Sequence, residues 1–259
     1  MTLPTAAPPA DVRLAHCLLD AQGTVLSAHA PDLPFYAAST IKLHVLLAAL
    51  RAADEGRLDV MAEVPAARTF TGIDGAPFTL GGDHLEASHP AEGTAVPVRE
   101  LLVRMIDRSS NEATNQIAEL IGLPAIAALI DSLGLRATRM ERLIGDGAAL
   151  AQGLTNETSA ADLATTMLHA VRPGPGAALA REALGAQRIP VIATALRSDV
   201  PWGSKSGWVD GYRHDVAHLG EPADPDLRVL AVMTGGLAQD EADQRIRDLV
   251  RELCGDLAA

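Results

Sequence analysis

The chain has 259 residues, 48% of them hydrophobic, which suffices for one large domain or two intertwined lobes around a substantial core. Only 3% are aromatic, so alanine, leucine and valine must build most of that core. A formal charge of −12 argues against a nucleic-acid backbone or an anionic membrane as partner, since both call for basic patches. Cys17 and Cys254 lie at opposite ends with no Cys-x-x-Cys or Cys/His spacing, so zinc and thioredoxin-type chemistry is not expected; the two could form one disulfide, but buried free thiols are the preferred reading. No metal or other cofactor is implied. Met1 to Asp11 has no basic start and no apolar core segment; it reads as a disordered Pro/Ala-rich leader and not as a signal peptide. The apolar run around Val45 to Leu50 is too short to span a bilayer. As given, the chain is expected to be cytoplasmic, with export left open if a signal precedes it.

In chain order, Arg13 to Asp20 and Thr24 to Ala30 read as two strands around a Gln22-Gly23 turn. Ser39 opens a helix whose apolar stripe is Ile41, Val45, Leu46, Leu50. Pro97 suits the first turn of a helix running through Met105, Asn111 begins another that ends near Gly122, and Pro124 to Leu133 is a third, stopped by Gly134. Ser159 with Asp162 has the form of a capping box for a fourth. The polar stretch Gly81 to Gly93 reads as loop, with His84 and His89 facing solvent. After Pro190 strands return at Tyr212 to Leu219 and Leu227 to Thr234, and Glu241 to Leu257 is a closing amphipathic helix. Strands at both ends with helices between predict an α+β fold: an antiparallel sheet built from residues 12–50 and 186–259, and a helical lobe from 51–185.

The chain contains only two lysines, Lys42 and Lys205, so the other nineteen of its 21 basic residues (21 − 2) are arginines. Arginine keeps its proton at any physiological pH and cannot act as a base, whereas a buried lysine can lose its proton. Each lysine has serines close by. On a helix, residues three apart share a face, which brings Ser39 within reach of Lys42. An amine that has lost its proton can then take that of the serine hydroxyl and make it nucleophilic. The structural alternative is an N-cap serine with a lysine stretched along the helix. A second cluster, Asp107-Arg108-Ser109-Ser110-Asn111, offers Ser109 as a proton shuttle and Asn111 as an orienting amide, or simply a helix cap. A third, Trp202-Gly203-Ser204-Lys205-Ser206-Gly207, puts a cation, a hydroxyl and a glycine on one strand edge. Such an edge can hold a carboxylate close to the backbone, or can be an ordinary strand end.

In the order Ser-x-x-Lys, Ser-x-Asn, Lys-Ser-Gly, these clusters are the signature of class A β-lactamases and penicillin-binding proteins. The resemblance to class A β-lactamase-like serine hydrolases runs from about Arg13 to the last helix. It includes Phe35 to Leu43, Met105 to Asn115, Gln187-Arg188-Ile189-Pro190 and Arg213-His214-Asp215-Val216-Ala217. It implies an acyl-enzyme at Ser39, with Lys42 as base or proton relay and an oxyanion hole formed by the N–H groups of Ser39 and Trp208. It further implies that Ser109, supported by Lys205, passes a proton to the leaving group. The expected substrate is a small-molecule or peptide-like amide or ester bearing a carboxylate, held by Asn111, Lys205, Ser206, Gly207 and either Arg213 or none. Oligomeric state is not indicated.

One segment departs from the family. A class A enzyme carries a glutamate that positions the deacylating water after a Thr-Arg-Leu-Asp-Arg-like stretch. Here Thr138-Arg139-Met140-Glu141-Arg142-Leu143-Ile144-Gly145-Asp146 puts Ile144 at that place, and Asn156 stands where an aspartate would pair with the loop arginine. Asp146 could supply a carboxylate if the loop shifts, but a displacement of about 1 Å costs on the order of a hundredfold in rate. The expectation is therefore a weak or non-classical β-lactamase. The alternatives are a working β-lactamase that uses Asp146, and a non-catalytic binding module on the same fold.

Overall fold

The computed structural model describes residues 11–82 and 85–259. Most of the leader and His84 therefore lie outside the described residues. A five-stranded antiparallel sheet forms from β1 (Arg13–Asp20), β2 (Val25–His29), β10 (Trp202–Val209), β11 (Tyr212–Leu219) and β12 (Arg228–Gly235). Its spatial order is β10-β11-β12-β1-β2, so the two chain ends meet where β1 pairs with β12, Arg13 opposite Gly235 and Asp20 opposite Arg228. The α+β arrangement read from the sequence is what the structure shows.

The sheet is covered on both faces, and its side chains divide between them with the period of two that a pleated strand imposes. Along β12, Val229, Ala231 and Met233 join the core under the helical part, whereas Leu230 and Val232 point to the opposite face. That opposite face is closed by α8 (Gln239–Leu253) through Ile246, Leu249 and Val250, and by the 3-10 turn Ile192–Ala195. On the first face lie α6 (Ala160–Val171) and, beyond it, α1 (Ile41–Asp54), whose Leu43, Val45, Leu46 and Ala49 are buried. Leucine and alanine fill this core, as the scarcity of aromatics requires.

The helices α2 (Val98–Asp107), α3 (Asn111–Ile121) and α4 (Leu123–Ser132) follow the expected spans to within two residues. Their limits have local causes. Pro97 is the N-cap residue of α2, Ser110 caps α3 by accepting from Ala113 N at 3.1 Å, and Ser159 caps α6 by accepting from Asp162 N at 3.2 Å. Two helices were not read from the sequence: α7 (Ala177–Gly185), an alanine-rich segment against β10, and the short α5 (Gly147–Ala151). Also unread were the small pairings β4 (Glu63–Pro65) with β7 (Ala95–Pro97), and β5 (Thr69–Thr71) with β6 (Pro77–Thr79). The same holds for β3 (Phe35–Tyr36) and β8 (Arg139–Met140), which flank β9 (Asn156–Thr158). Each of these strands is two or three residues long, too short to show a period.

His89 is a correction: it is only 3% exposed. The loop folds back on α3, with Arg68 Nη2 donating to His89 O at 2.6 Å and His89 Nδ1 lying 3.5 Å from Ser110 Oγ. Burial pulls its pKa down. Because the far face of the sheet depends on β12 side chains, Leu230→Ala is expected to lower unfolding free energy by about 2–5 kcal/mol in urea titrations, whereas Leu26→Ala on the half-exposed edge strand β2 should cost under about 0.5 kcal/mol.

Candidate active site

Ser39 does not sit in an α-helix. It occupies a 3-10 turn, Ala38–Thr40, that leads directly into α1 and places Lys42 in the first helical turn. The turn is anchored from two sides. His214 on β11 bonds Tyr36 O through Nε2 at 2.9 Å, and its Nδ1 accepts from Thr234 N at 3.2 Å. An accepting Nδ1 carries no proton, so Nε2–H must be the donor. The ring is neutral, and burial holds its pKa down to about 4. From the other side, Ala37 N donates to Asn156 O at 2.9 Å, continuing the β3–β9 pairing. Ala38, just before the nucleophile candidate, has φ +47°, a left-handed conformation that a non-glycine residue adopts only when its surroundings enforce it.

The three clusters meet between α1, the start of α3 and strand β10. Lys42 Nζ donates to Ser109 O at 2.5 Å, to Ser109 Oγ at 3.0 Å and to Asn111 Oδ1 at 2.7 Å. Lys205 Nζ reaches the same Ser109 Oγ at 3.2 Å, and Ser206 O at 2.6 Å. Ser109 also has positive φ, +58°, and offers both its carbonyl and its hydroxyl to Lys42. Both lysines are 0% exposed, whereas Ser39, Ser109 and Asn111 keep partial access to solvent. The site therefore has a partly accessible Ser109 hydroxyl resting on two buried amines.

Burial is the first cause of both amine shifts, because it penalises the ammonium form. Lys42 falls well below the ordinary lysine range, lowered further by the Lys205 charge and partly restored by Glu112. Lys205 is drawn down to about 7, with Asp215 opposing the drop. Asp215 itself is pushed up to about 6 by burial, although its Oδ2 accepts from Val191 N at 2.7 Å and Ile192 N at 2.8 Å. Glu112 and Asp215 are the site groups that the motif reading missed. Glu112 is fully buried and accepts from Glu86 N at 3.0 Å and Ser110 Oγ at 3.1 Å. Its place directly after the Ser-Ser-Asn triplet was the available signal.

Strand β10 is the edge of the sheet, so alternate backbone groups face away from β11. Gly207 explains how close this edge comes. A Cβ added there would stand 3.0 Å from both Ser39 N and Thr40 N, so only glycine lets the strand press against the nucleophile's backbone. Ser206 is buried beside it, and Trp208 follows.

Two expected residues have other partners. Arg213 lies opposite Trp208 in the β10–β11 register, is 4% exposed, and gives its Nε to Asp243 Oδ1 of α8 at 2.5 Å. Its charge is met within the protein, at odds with a cation free to hold a substrate carboxylate. Asp146, the candidate deacylating carboxylate, is the N-cap of α5. Oδ1 accepts from Ala149 N at 3.0 Å and Oδ2 from Ile73 N at 2.9 Å. It borders a cavity of about 240 Å³ shared with Thr71, Ile73, Glu119, Leu123 and Arg142, whose walls include none of Ser39, Lys42, Ser109 or Lys205. Both oxygens are occupied by backbone donors, so recruiting Asp146 would uncap α5 and release the Ile73 turn.

Ile144 is held by its backbone. Asn115 Nδ2 donates to Ile144 O at 2.8 Å, and Ile144 N donates to Asn115 Oδ1 at 2.8 Å. Asn156 closes the base of the loop as an amide and not as a counter-ion. Its Oδ1 accepts from Glu141 N at 3.1 Å and Arg142 N at 3.3 Å, and its Nδ2 donates to Arg142 O at 3.1 Å. An aspartate could not make the last bond. Arg142 turns its guanidinium to Tyr36 Oη at 3.3 Å and Leu143 O at 3.2 Å.

A lysine with its folded pKa near 7, against about 10.4 in an unfolded chain, makes stability depend on pH. Between these values the unfolded state binds more protons, so stability rises with pH and is lost as pH falls through the folded pKa. Urea titrations from pH 7.5 to 9.5 should show wild type gaining on Lys205→Met by up to about 1.4 kcal/mol per pH unit. Parallel pH profiles would mean that Lys205 is not depressed.

The family model for the "Beta-lactamase enzyme family" matches residues 9–257. Comparison with curated protein sequences returns no match. Among solved structures, the chain is similar to the beta-lactamase from Sphaerobacter thermophilus DSM 20745, with a TM-score of 0.77, 23% identity, and coverage of 96% of this chain and 94% of that one. It is likewise similar to a beta-lactamase from Xanthomonas campestris pv. campestris str. ATCC 33913, with a TM-score of 0.76, 23% identity and coverage of 94% and 92%. An ancestral class A beta-lactamase reconstructed for Gram-negative bacteria gives a TM-score of 0.76 at 23% identity, covering 95% of each chain. At these identities the structural likenesses speak for the fold, and the family match extends over nearly the whole sequence: the chain belongs to the beta-lactamase enzyme family and is a serine hydrolase of the β-lactamase type.

Proposed function

We propose that the protein forms an acyl-enzyme at Ser39 on a small amide or ester and resolves it slowly, as a weak or non-classical β-lactamase. The observation that supports this reading is the Asn115–Ile144 clamp, which holds the backbone of the residue that the ungapped sequence comparison sets against the family's glutamate.

In this mechanism Ser39 Oγ attacks the substrate carbonyl and its proton passes to neutral Lys42 Nζ. Deep burial and the neighbouring Lys205 charge favour the uncharged form of Lys42, and Glu112 opposes it. The oxyanion is held by the N–H groups of Ser39 and Trp208, brought together by the close approach at Gly207. As the tetrahedral intermediate collapses, the bond to the leaving nitrogen or oxygen breaks. The leaving atom takes a proton from Ser109 Oγ, which is replenished from Lys42 at 3.0 Å, and Lys205 at 3.2 Å stabilises the charge that passes through Ser109. The acyl group then remains on Ser39. Hydrolysis needs a base beside the attacking water, and the Ile144 side chain cannot accept a proton.

Incubation with a fluorescent penicillin or a fluorophosphonate, followed by intact-mass measurement, should give a single lasting adduct that Ser39→Ala abolishes. Rapid loss of the adduct would favour an efficient lactamase. No adduct with either probe would favour a binding module and sink the acyl-enzyme reading. Ile144→Glu is expected to raise deacylation at least about tenfold, read as decay of the adduct, because a general base contributes typically ~10²–10⁴-fold when well placed. An unchanged adduct lifetime would show that the loop position is not what limits turnover.

A further inference from the structure

We propose that Glu112 is a positioning residue for acyl transfer: its buried carboxylate pins the turn that carries Ser109 and Asn111 and stands as the counter-charge of Lys42. The part in acyl transfer rests on the acyl-enzyme reading above. The pin and the charge rest on separate observations.

The pin is a pair of hydrogen bonds. Glu112 lies in the first turn of α3 and is 0% exposed. Its Oε2 accepts from Ser110 Oγ at 3.1 Å, and its Oε1 accepts from Glu86 N at 3.0 Å. Ser110 is the middle residue of the Ser109-Ser110-Asn111 turn, and both of its neighbours in that turn hold Lys42 Nζ. Ser109 has the left-handed φ of +58°, a conformation that persists where the surroundings fix it. Glu112 therefore ties the loop before His89 to the turn on which the Lys42 amine rests.

The charge follows from what surrounds it. One oxygen accepts from an N–H and the other from an O–H, as suits an ionised carboxyl. Among the described residues no salt bridge reaches it. The charged and titratable groups around it are Glu86 and His89 of the loop, Arg68, Arg104 of α2, and Lys42 of α1, on which Lys205 of β10 also acts. Glu86 is paired with Arg104 at 3.3 Å, and burial disfavours the charged form of His89. A buried anion without a direct partner is costly unless a nearby cation offsets it. Lys42 is that cation. Burial and Lys205 both weaken its ammonium form, and Glu112 opposes them. An amine too weakly basic could not take the Ser39 proton, and one too strongly basic could not release it towards Ser109.

Having only two lysines makes the test direct. Protein labelled with ¹³C at lysine Cε gives two signals, assigned with Lys205→Met, whose shifts follow each amine from about pH 5 to about pH 10.5. Glu112→Gln removes the charge and can keep both bonds, with Oε1 accepting from Glu86 N and Nε2 donating to Ser110 Oγ. The Lys42 midpoint should then fall by about one pH unit, and that of Lys205 should not fall with it. Glu112→Asp, which keeps the charge, should leave the Lys42 midpoint nearer to that of wild type. A merely structural role gives the opposite sign, because a loosened turn admits water and raises both midpoints. Melting curves check that each variant is folded across the range. An unmoved or raised Lys42 midpoint in Glu112→Gln, an equal fall in Glu112→Asp, or a wild-type Lys42 without a step in this range would each overturn the proposal. Acylation by a fluorescent penicillin reads the other claim: in Glu112→Gln the acid limb of its rate should move down with the Lys42 midpoint. A shifted midpoint with no adduct in any variant would defeat the acyl-enzyme reading and leave the charge pairing standing.

Discussion

The site depends on one oxygen. Ser109 Oγ lies within hydrogen-bond range of two lysine amines that are both removed from water, at 3.0 and 3.2 Å. Two ammonium groups so close, in a medium of low dielectric, repel strongly, and water is not there to screen them. The resolution is for one amine to give up its proton, and the surroundings select which. Burial lowers both: Lys42 is lowered further by the Lys205 charge and opposed by Glu112, whereas Lys205 has Asp215 and Asp107 nearby to oppose its loss of charge. An amine whose surroundings favour its uncharged form, close to a serine, is what acyl transfer asks of this geometry.

The fold exists around this cluster as a set of anchors. Lys42 comes from α1, Ser109 and Asn111 from the turn into α3, and Lys205 from the edge strand, so three parts of the chain must dock for the bonds to form. Left-handed conformations at Ala38 and Ser109 mark where the backbone is bent to present side chains, a strain supported by the buried α1 and by the anchoring of Tyr36 and Ala37. The cost of burying two lysines is tolerated for the same reason: an uncompensated buried cation destabilises a fold, and its retention points to chemistry.

Much of this was legible in the chain. The restriction of lysine to two positions singled out both amines, and turn and cap residues placed β1, β11, α3 and α6 to within a residue or so. What was not legible came from pairings between segments far apart. Asp243, thirty residues beyond Arg213, takes that guanidinium across the back of the sheet. Asp146 satisfies a helix too short to announce itself and a turn seventy-three residues earlier. His89 is buried because a polar loop doubles back over α3. Local sequence carries no sign of any of these.

The central claim is that the machinery for acylation is complete and that for deacylation is not. Stopped-flow mixing of the protein with a chromogenic cephalosporin tests it most directly. The expected trace is a burst equal to one turnover per Ser39, followed by a steady phase at least about a hundredfold slower, the order of loss that follows when a catalytic group is missing or misplaced. Sustained turnover at the rate of the burst would contradict the account and return the deacylating role to a group on the 138–158 loop.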